Sequence, residues 1–400
     1  MSQGPEFIGS EQPALALLQQ LGYTYLPAAD LKAERPDAAE VLLPGRLQAA
    51  IARLNPDLDA ANQARAYDLL LAAGTASSLL EANEAVWKLL RGDAPTLKQT
   101  VAGQEEFLPL RYLDFAEPAN NDWLVTNQPR YQGRIAVAEP DIVVYVNGLP
   151  LAVLECKAGG ATGAWDSAYH DLAYYQKNNE RLFHYNVLCA GLWEVDAKYG
   201  AIGTPQAFYA SHNDRRSDLA PLRALLPGRE PNAQDRLLYF LLAPARLLDV
   251  LRHFVLFERE EGRTIKKLPR YQQVRATNRT LARLRDHDQG GVVWHTQGSG
   301  KSLSMVFYTG KIVLALDNPT VLVITDRNDL DDQLFDTFAG STQLLRQEPR
   351  QVEDRQELKT LLRVGSGGVV FTTIQKFQPE EGNVYEELSA RRNIVVIADE

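Results

Sequence analysis

Apolar and polar positions change their spacing twice along the chain. From Glu11 to Gly22 the apolar residues recur at helical intervals and stop at a glycine, which predicts an amphipathic helix. Arg46 to Leu71 and Ser77 to Leu90 read the same way. Near the middle the spacing tightens into two dense apolar runs, Ile142 to Val146 and Leu149 to Cys156, on either side of Asn147-Gly148, a strong hairpin signal. Ser167 to Arg181 returns to helical spacing, and Tyr185 to Leu192 is strand-like. Beyond these, apolar runs at Val292-Val293-Trp294, Thr320 to Thr325, Gly368 to Thr373 and Asn393 to Ala398 alternate with helix-compatible stretches such as Leu303 to Leu316. That alternation predicts a parallel sheet with covered faces. Phe257 to Pro269 is the most polar transition and ends at a proline, so a domain boundary is expected there.

Chemistry enters at the turns. After Val292-Val293-Trp294 comes Thr296 to Ser302, with Gly298-Ser299-Gly300-Lys301-Ser302 leading into a helix. Glycines let main-chain amides approach phosphate oxygens, and the helix N-terminus adds positive potential. Lys301 can reach the outer phosphates, and the Ser302 hydroxyl can ligate Mg²⁺. His295 stands where a strict phosphate-loop pattern has another glycine, so the loop is a variant. The last apolar run delivers Asp399 and Glu400 at its end, where a Walker-B pair would hold Mg²⁺ and orient the attacking water.

The hairpin carries a second set. Asp141 precedes its first strand, and Glu155 and Lys157 end its second. A two-residue turn at Asn147-Gly148 places Asp141 opposite Leu154 and the two carboxylates on opposite faces. A three-residue loop, Val146-Asn147-Gly148 with Gly148 left-handed, instead pairs Tyr145 with Leu149 and Asp141 with Val153, so that Asp141, Glu155 and Lys157 share a face. This second register is the expected one, because it lets two carboxylates converge on a hard cation beside an ammonium.

Composition constrains without deciding. The chain has 400 residues, enough for two or three cores, with 45% hydrophobic and 23% charged residues. No stretch has membrane-span length, and a cytoplasmic location is expected. Cys156 and Cys189 give neither a disulfide framework nor metal-ligand spacing. A net charge of -9 leaves any nucleic-acid contact to a local basic stripe. The candidates are Lys266, Lys267, Arg270, Arg275, Arg279, Arg283 and Arg285, several of which also fit the solvated face of a helix whose inner face is Val274, Leu281 and Leu284.

In order and spacing, Glu139 to Leu151 with Glu155-Cys156-Lys157, Trp294 to Ser302, Thr325 to Leu330, Phe371 to Phe377 and Asp399-Glu400 together resemble the restriction (R) subunit of type I restriction-modification enzymes. That family joins a PD-(D/E)xK nuclease to a superfamily 2 translocase. The resemblance implies an α/β chain with an endonuclease domain over 1–257 (core at about 105–200), a linker over 258–269 and a first RecA-like lobe over 270–400. It implies that Asp141 and Glu155 ligate Mg²⁺, that Lys157 positions or activates water, and that Gln273 contacts adenine. Thr296, Gly298, Ser299, Gly300, Lys301, Ser302, Asp399 and Glu400 would complete the ATP site, with Ser302 and Asp399 on its Mg²⁺. The family often carries a glutamine four residues before a tyrosine in the helix after the hairpin; here Asp171 precedes Tyr175. The implied activity is ATP-driven translocation of double-stranded DNA followed by cutting, with methyltransferase and specificity subunits as partners. The chain is expected to be the N-terminal fragment of such a subunit, binding ATP without turning it over. A repair or type III-like helicase-nuclease, and a DNA-binding remodeller with an inactive hairpin, remain as alternative readings.

Overall fold

The computed structural model describes residues 4–194, 196–214, 218–326, 328–377 and 387–399. Contacts divide them into two compact units, one ending at Leu268 and one beginning at Pro269. The first unit opens with helices α1 (Gln12–Gln20), α2 (Ala28–Glu34), α3 (Pro44–Leu54), α4 (Ala60–Ala73) and α5 (Leu79–Lys88), with the short strand β1 (Thr24–Tyr25) after α1. There follow β2 (Leu97–Val101), β3 (Gln104–Leu108), β4 (Trp123–Asn127), β5 (Tyr131–Gln132), β6 (Val137–Ala138), β7 (Ile142–Val146) and β8 (Leu149–Cys156). Helices α6 (Ala164–Asn178) and α7 (Glu180–Phe183) lead to β9 (Leu188–Trp193) and β10 (Asp196–Gly200). The unit closes with α8 (Ala220–Leu225), α9 (Ala233–Leu242), α10 (Pro244–His253), β11 (Leu256–Glu260) and β12 (Arg263–Lys267).

Its main sheet has the order β1-β4-β7-β8-β9-β10. Strands β7 and β8 lie at the centre and every residue of both is buried, which explains their unbroken apolar runs. The parallel pair β8/β9 is joined by α6 and α7, and α6 packs on both strands. This crossover brings one helix beside the end of β8.

Two expectations are corrected here. The helix predicted over Arg46 to Leu71 is two helices, because Pro56 has no amide hydrogen to continue the first and Asn55 turns its carboxamide to the Ile51 and Arg111 carbonyls. The polar stretch assigned as a 258–269 linker is mostly the β11/β12 hairpin, whose charged residues pair across it: Lys267 meets Glu258 and Glu260.

The second unit contains α11 (Tyr271–His287), α12 (Lys301–Ala315), β13 (Thr320–Thr325), α13 (Asn328–Ala339), α14 (Thr342–Leu345), β14 (Pro349–Gln351), α15 (Arg355–Leu362), β15 (Val369–Thr373) and β16 (Ile394–Ala398). Its sheet is wholly parallel, in the order β14-β15-β13-β16, and Leu322, Val352, Leu358, Leu362 and Val370 form one of its buried clusters. Val292-Val293-Trp294 is not a strand. Both edges of β13 are taken by β15 and β16, no described strand pairs with this run, and Val292 and Trp294 are each 94% exposed. Without a pairing partner, apolar residues alone do not hold an extended segment.

Candidate functional site

The hairpin turn is the two-residue kind, which corrects the expected three-residue loop. Asn147 and Gly148 both have positive φ, 51° and 79°, and Val146 pairs with Leu149. The Asn147 side chain fixes this turn: its Oδ1 accepts from the Asp122 amide at 2.7 Å, and its Nδ2 donates to the Tyr112 carbonyl at 3.0 Å and to Asn121 Oδ1 at 2.9 Å. Gly148 is required twice over, by its φ and because a Cβ there would lie 2.6 Å from the Leu43 carbonyl oxygen.

The carboxylates nevertheless share a face, by another device. Pairing runs Val146–Leu149 and Tyr145–Pro150, then skips to Val144–Ala152, Val143–Val153 and Ile142–Leu154. Leu151 is the extra residue of a bulge. Pro150 has no amide hydrogen to give the ladder, and the Leu151 carbonyl is taken by the Val187 amide at 2.6 Å. The skip sets Asp141 across from Glu155 rather than from Leu154.

What results is an acidic pair with little water. Asp141 is 8% and Glu155 3% exposed. Asp141 Oδ2 accepts from the Cys156 amide at 2.6 Å, and Glu155 Oε1 accepts from Lys157 Nζ at 2.9 Å, while Glu155 Oε2 is buried with no hydrogen-bond partner. Burial raises the pKa of both carboxyls; the Asp141 charge raises that of Glu155 further. Burial alone would lower the pKa of Lys157, but Glu155 and Asp171 outweigh it and keep the ammonium charged. Among the described residues no group of three or more His, Cys, Asp or Glu is arranged to hold a metal. Two carboxylates with an orphaned buried oxygen still fit a hard divalent cation, which fills its remaining positions with water or phosphate oxygens. Cys156 is wholly buried, and its thiol pKa is pushed up by burial.

Two residues at this site were not singled out from the sequence. Glu11, 1% exposed just before α1, accepts from Asn127 Nδ2 at 2.8 Å and Gln128 Nε2 at 3.0 Å, and its charge adds to the rise at Asp141. A polar residue at the head of an apolar helix gave no sign of this. Asp171, noted only as a departure, lies 2.8 Å from Lys157 Nζ.

In the second unit, Gly298 and Gly300 have φ of 74° and 83°, and Gly300 is the N-cap of α12. The Ser299 amide closes a turn onto the Thr296 carbonyl at 3.2 Å, and Ser299 Oγ is buried without a partner. Gln273 is 3% exposed. It accepts from the Arg270 amide at 2.7 Å and donates to the Gly300 carbonyl at 3.1 Å, while a Cβ on Gly300 would come within 2.5 Å of its Nε2. Lys301 and Ser302 open α12, whose last turn is followed within a few residues by β13. Asp399 follows the carboxyl end of β16, its amide donating to the Ile324 carbonyl at 2.9 Å. Glu400 and Arg327 lie outside the described residues.

The basic stripe is thinner than expected. Lys266 is 2% exposed, donates to the Asn186 carbonyl at 2.6 Å, and its pKa is lowered by burial to about 7, so it offers no surface charge. Arg285 pairs with Asp286, and Arg283 binds the Gly290 carbonyl and Gln289.

Residues 9–214 match the family model described as type I restriction enzyme R protein N terminus, and residues 272–400 match SWI2/SNF2 ATPase. The chain is 37% identical, over 98% of its length, to the type I restriction enzyme HindI endonuclease subunit of Haemophilus influenzae, covering 38% of that protein. It is 26% identical over 98% of its length to the putative type I restriction enzyme MjaIXP endonuclease subunit of Methanocaldococcus jannaschii, covering 39%. With the SsaAORF53P endonuclease subunit of Staphylococcus saprophyticus it shares 25% identity over 78% of its length, covering 32%. The chain thus spans less than two fifths of the length of these relatives.

Proposed function

The chain belongs to the type I restriction enzyme R-protein family, and on that premise we propose that it carries the DNA-cutting site and the first ATP-binding lobe of an ATP-dependent, DNA-translocating endonuclease subunit. The observation that carries the nuclease half is the cross-strand pair Asp141/Glu155, with the unpartnered Glu155 Oε2 beside the Lys157 ammonium. Asp141 and Glu155 would hold Mg²⁺, which when bound supplies Lewis acidity towards a phosphodiester oxygen. The buried setting keeps competing water from the carboxylates. Lys157 holds a fixed positive charge where the attacking water and the developing phosphorane charge would lie, an electrostatic contribution that low polarity strengthens.

In the ATP lobe, the Thr296 to Ser302 amides and Lys301 would hold the phosphates, Ser302 and Asp399 the nucleotide's Mg²⁺, and Gln273 the adenine edge. The substrate is double-stranded DNA; methyltransferase and specificity subunits would choose the target, and the assembly would work in the cytoplasm. No helix among the described residues is long and apolar enough to cross a membrane.

The test uses the full-length subunit assembled with those partners, comparing wild type and Glu155→Ala for plasmid cleavage and ATP hydrolysis. Lost cleavage with intact hydrolysis supports a separate nuclease centre in the hairpin. Unchanged cleavage overturns it.

A further inference from the structure

The short hairpin β5/β6 stands just before Asp141 in the chain, and its base is built into the fold. Arg35, 5% exposed, donates to the Arg130 carbonyl at 2.7 Å, and its guanidinium lies over the Tyr131 ring at 4.4 Å. The Tyr131 hydroxyl shares a hydrogen bond of 2.7 Å with the Tyr145 hydroxyl on β7, and the Gln132 amide donates to the Ala38 carbonyl at 2.7 Å. On its other side the hairpin rests on the corner between α6 and α7. There Asn179 Nδ2 donates to the Ala136 carbonyl at 3.1 Å, and a Cβ on Gly133 would run into the Asn178 carbonyl oxygen. The Gly133 amide closes onto the Ala136 carbonyl at 2.9 Å, which leaves Arg134 and Ile135 at the tip of a well-anchored arm.

The fold uses neither tip side chain. Turn corners favour glycine, asparagine, aspartate, serine or proline, whereas here an arginine and a β-branched residue face solvent, Ile135 at 72% exposure. Among the described residues Arg134 has no hydrogen-bond or ion-pair partner. At the base of the arm Arg130 meets Glu139 at 3.5 Å with both side chains largely in water, a pair that a phosphate displaces at little cost. No acidic residue stands between Gln128 and Ala138. Arg134 lies seven residues before Asp141, at most about 25 Å of extended chain, or about seven base pairs along a duplex. Resting on the reading of Asp141 and Glu155 as the cutting pair, we propose that the β5/β6 arm is a docking surface for the double-stranded DNA that this pair cuts: Arg130 and Arg134 each hold a backbone phosphate flanking the scissile one, and Ile135 lies against a deoxyribose between them. Contacts to phosphate and sugar fix the register of a duplex without reading its bases, which suits a cutting site that would leave target choice to other subunits.

The experiment compares wild type, Arg134→Ala, Arg134→Lys, Arg134→Glu, the double variant Arg130→Ala with Arg134→Ala, and Glu155→Ala in the full-length subunit assembled with its partner subunits. Plasmid cleavage and ATP hydrolysis are measured in the same samples, below half-saturating DNA, at about 50 and about 200 mM salt, and the ratio of the two rates is taken. Manganese binding without nucleotide is measured separately. One phosphate contact to a duplex loses roughly a factor of three between those salt concentrations, so two lose about tenfold. At the lower salt the double variant should therefore cut about tenfold less per ATP hydrolysed, and its ratio should fall about tenfold less than that of wild type as salt rises. Arg134→Ala should lose about threefold, Arg134→Lys less than that, and Arg134→Glu more, while manganese affinity stays near wild type in all the arginine variants. A double variant with the wild-type ratio overturns the proposal. So does a loss that Arg134→Lys shares in full, or one accompanied by weaker manganese binding, since the arm would then act by holding Asp141 in place rather than by touching DNA. Glu155→Ala that still cuts overturns the underlying nuclease reading instead.

Discussion

Replacing Glu155 by glutamine should stabilise the metal-free protein at alkaline pH while removing its response to divalent cations. Directly opposed cross-strand residues have Cβ atoms about 5 Å apart, so two ionised carboxylates there repel by about 3 kcal/mol at an effective dielectric of roughly 20. Against this stands the charge-assisted bond between Glu155 and Lys157, at 2.9 Å, worth about 2 kcal/mol. Glutamine keeps an acceptor for that bond, and Asp171 still holds the ammonium. The net expectation is a gain of about 1 kcal/mol, or roughly 2–4 °C in unfolding temperature for a unit of this size. The sign depends on pH. The folded-state pKa values of Asp141 and Glu155 are raised, so their contribution is fully present below the ordinary carboxylate range and is lost as pH rises through the raised values. The variant's advantage should thus be present near pH 8 and vanish near pH 4. Tryptophan fluorescence is a suitable probe: of the 5 tryptophans, Trp294 alone lies in the second unit, and at 94% exposure it changes little on unfolding. Magnesium at a hundredfold excess over its dissociation constant should stabilise wild type by about 2.7 kcal/mol and the variant far less. A variant less stable than wild type near pH 8 in chelator, or stabilised equally by magnesium, would refute the reasoning.

Manganese binding at the hairpin should strengthen as pH rises, because both raised carboxyls must lose their protons to ligate; affinity independent of pH by calorimetry would contradict this. Gly148→Ala forces a Cβ to 2.6 Å from the Leu43 carbonyl at a positive φ and should lower stability by about 2 kcal/mol or more in denaturant unfolding; a neutral result would mean that the turn can rearrange. Lys301→Ala should reduce ATP hydrolysis by the assembled full-length subunit roughly a hundredfold and leave manganese binding intact; retained hydrolysis would take Lys301 off the phosphates. Gln273→Ala should weaken ATP binding about tenfold and narrow the preference for ATP over GTP in competition assays; equal weakening of both would reduce Gln273 to a support for Gly300.

The hairpin's place, its turn residues and its two carboxylates were legible because Asn-Gly between apolar runs has a single strong physical meaning. Its register was not. A glycine that tolerates positive φ points to an odd residue in the loop at Gly148, whereas the fold puts it at Leu151, where Pro150 cannot complete the ladder. Proline inside a central strand was the available signal. The strands β13, β15 and β16 were legible from their apolar runs, whereas Val292-Val293-Trp294 shows that such a run is necessary but not sufficient without a partner edge. Lys266 failed for a related reason: a Lys-Lys pair reads as surface charge, yet strand alternation turns one of the two inward, over Phe257 and onto the Asn186 carbonyl.

On the proposed reading, the charge balance at the hairpin would bear on when DNA can enter. Glu155 and Asp171 hold the Lys157 ammonium, and Glu6 and Glu11 add their charges to the field at Asp141, so full ionisation leaves negative charge in excess. Burial and nearby negative charges resist that state by raising the Asp141 and Glu155 pKa values, and Glu155 keeps one buried oxygen without a donor. A phosphodiester brought to the metal-free site meets net negative potential in a medium that screens poorly. A divalent cation offsets most of the excess and gives the unpartnered oxygen a ligand role. The residues that make the empty site unfavourable for an anion are therefore those that would make cation binding favourable, and on the proposed reading cation loading would accompany DNA entry. On the proposed reading, the chain's overall charge of -9 is no argument against a nucleic-acid substrate, because a bound cation would set the local potential at the hairpin together with the side chains.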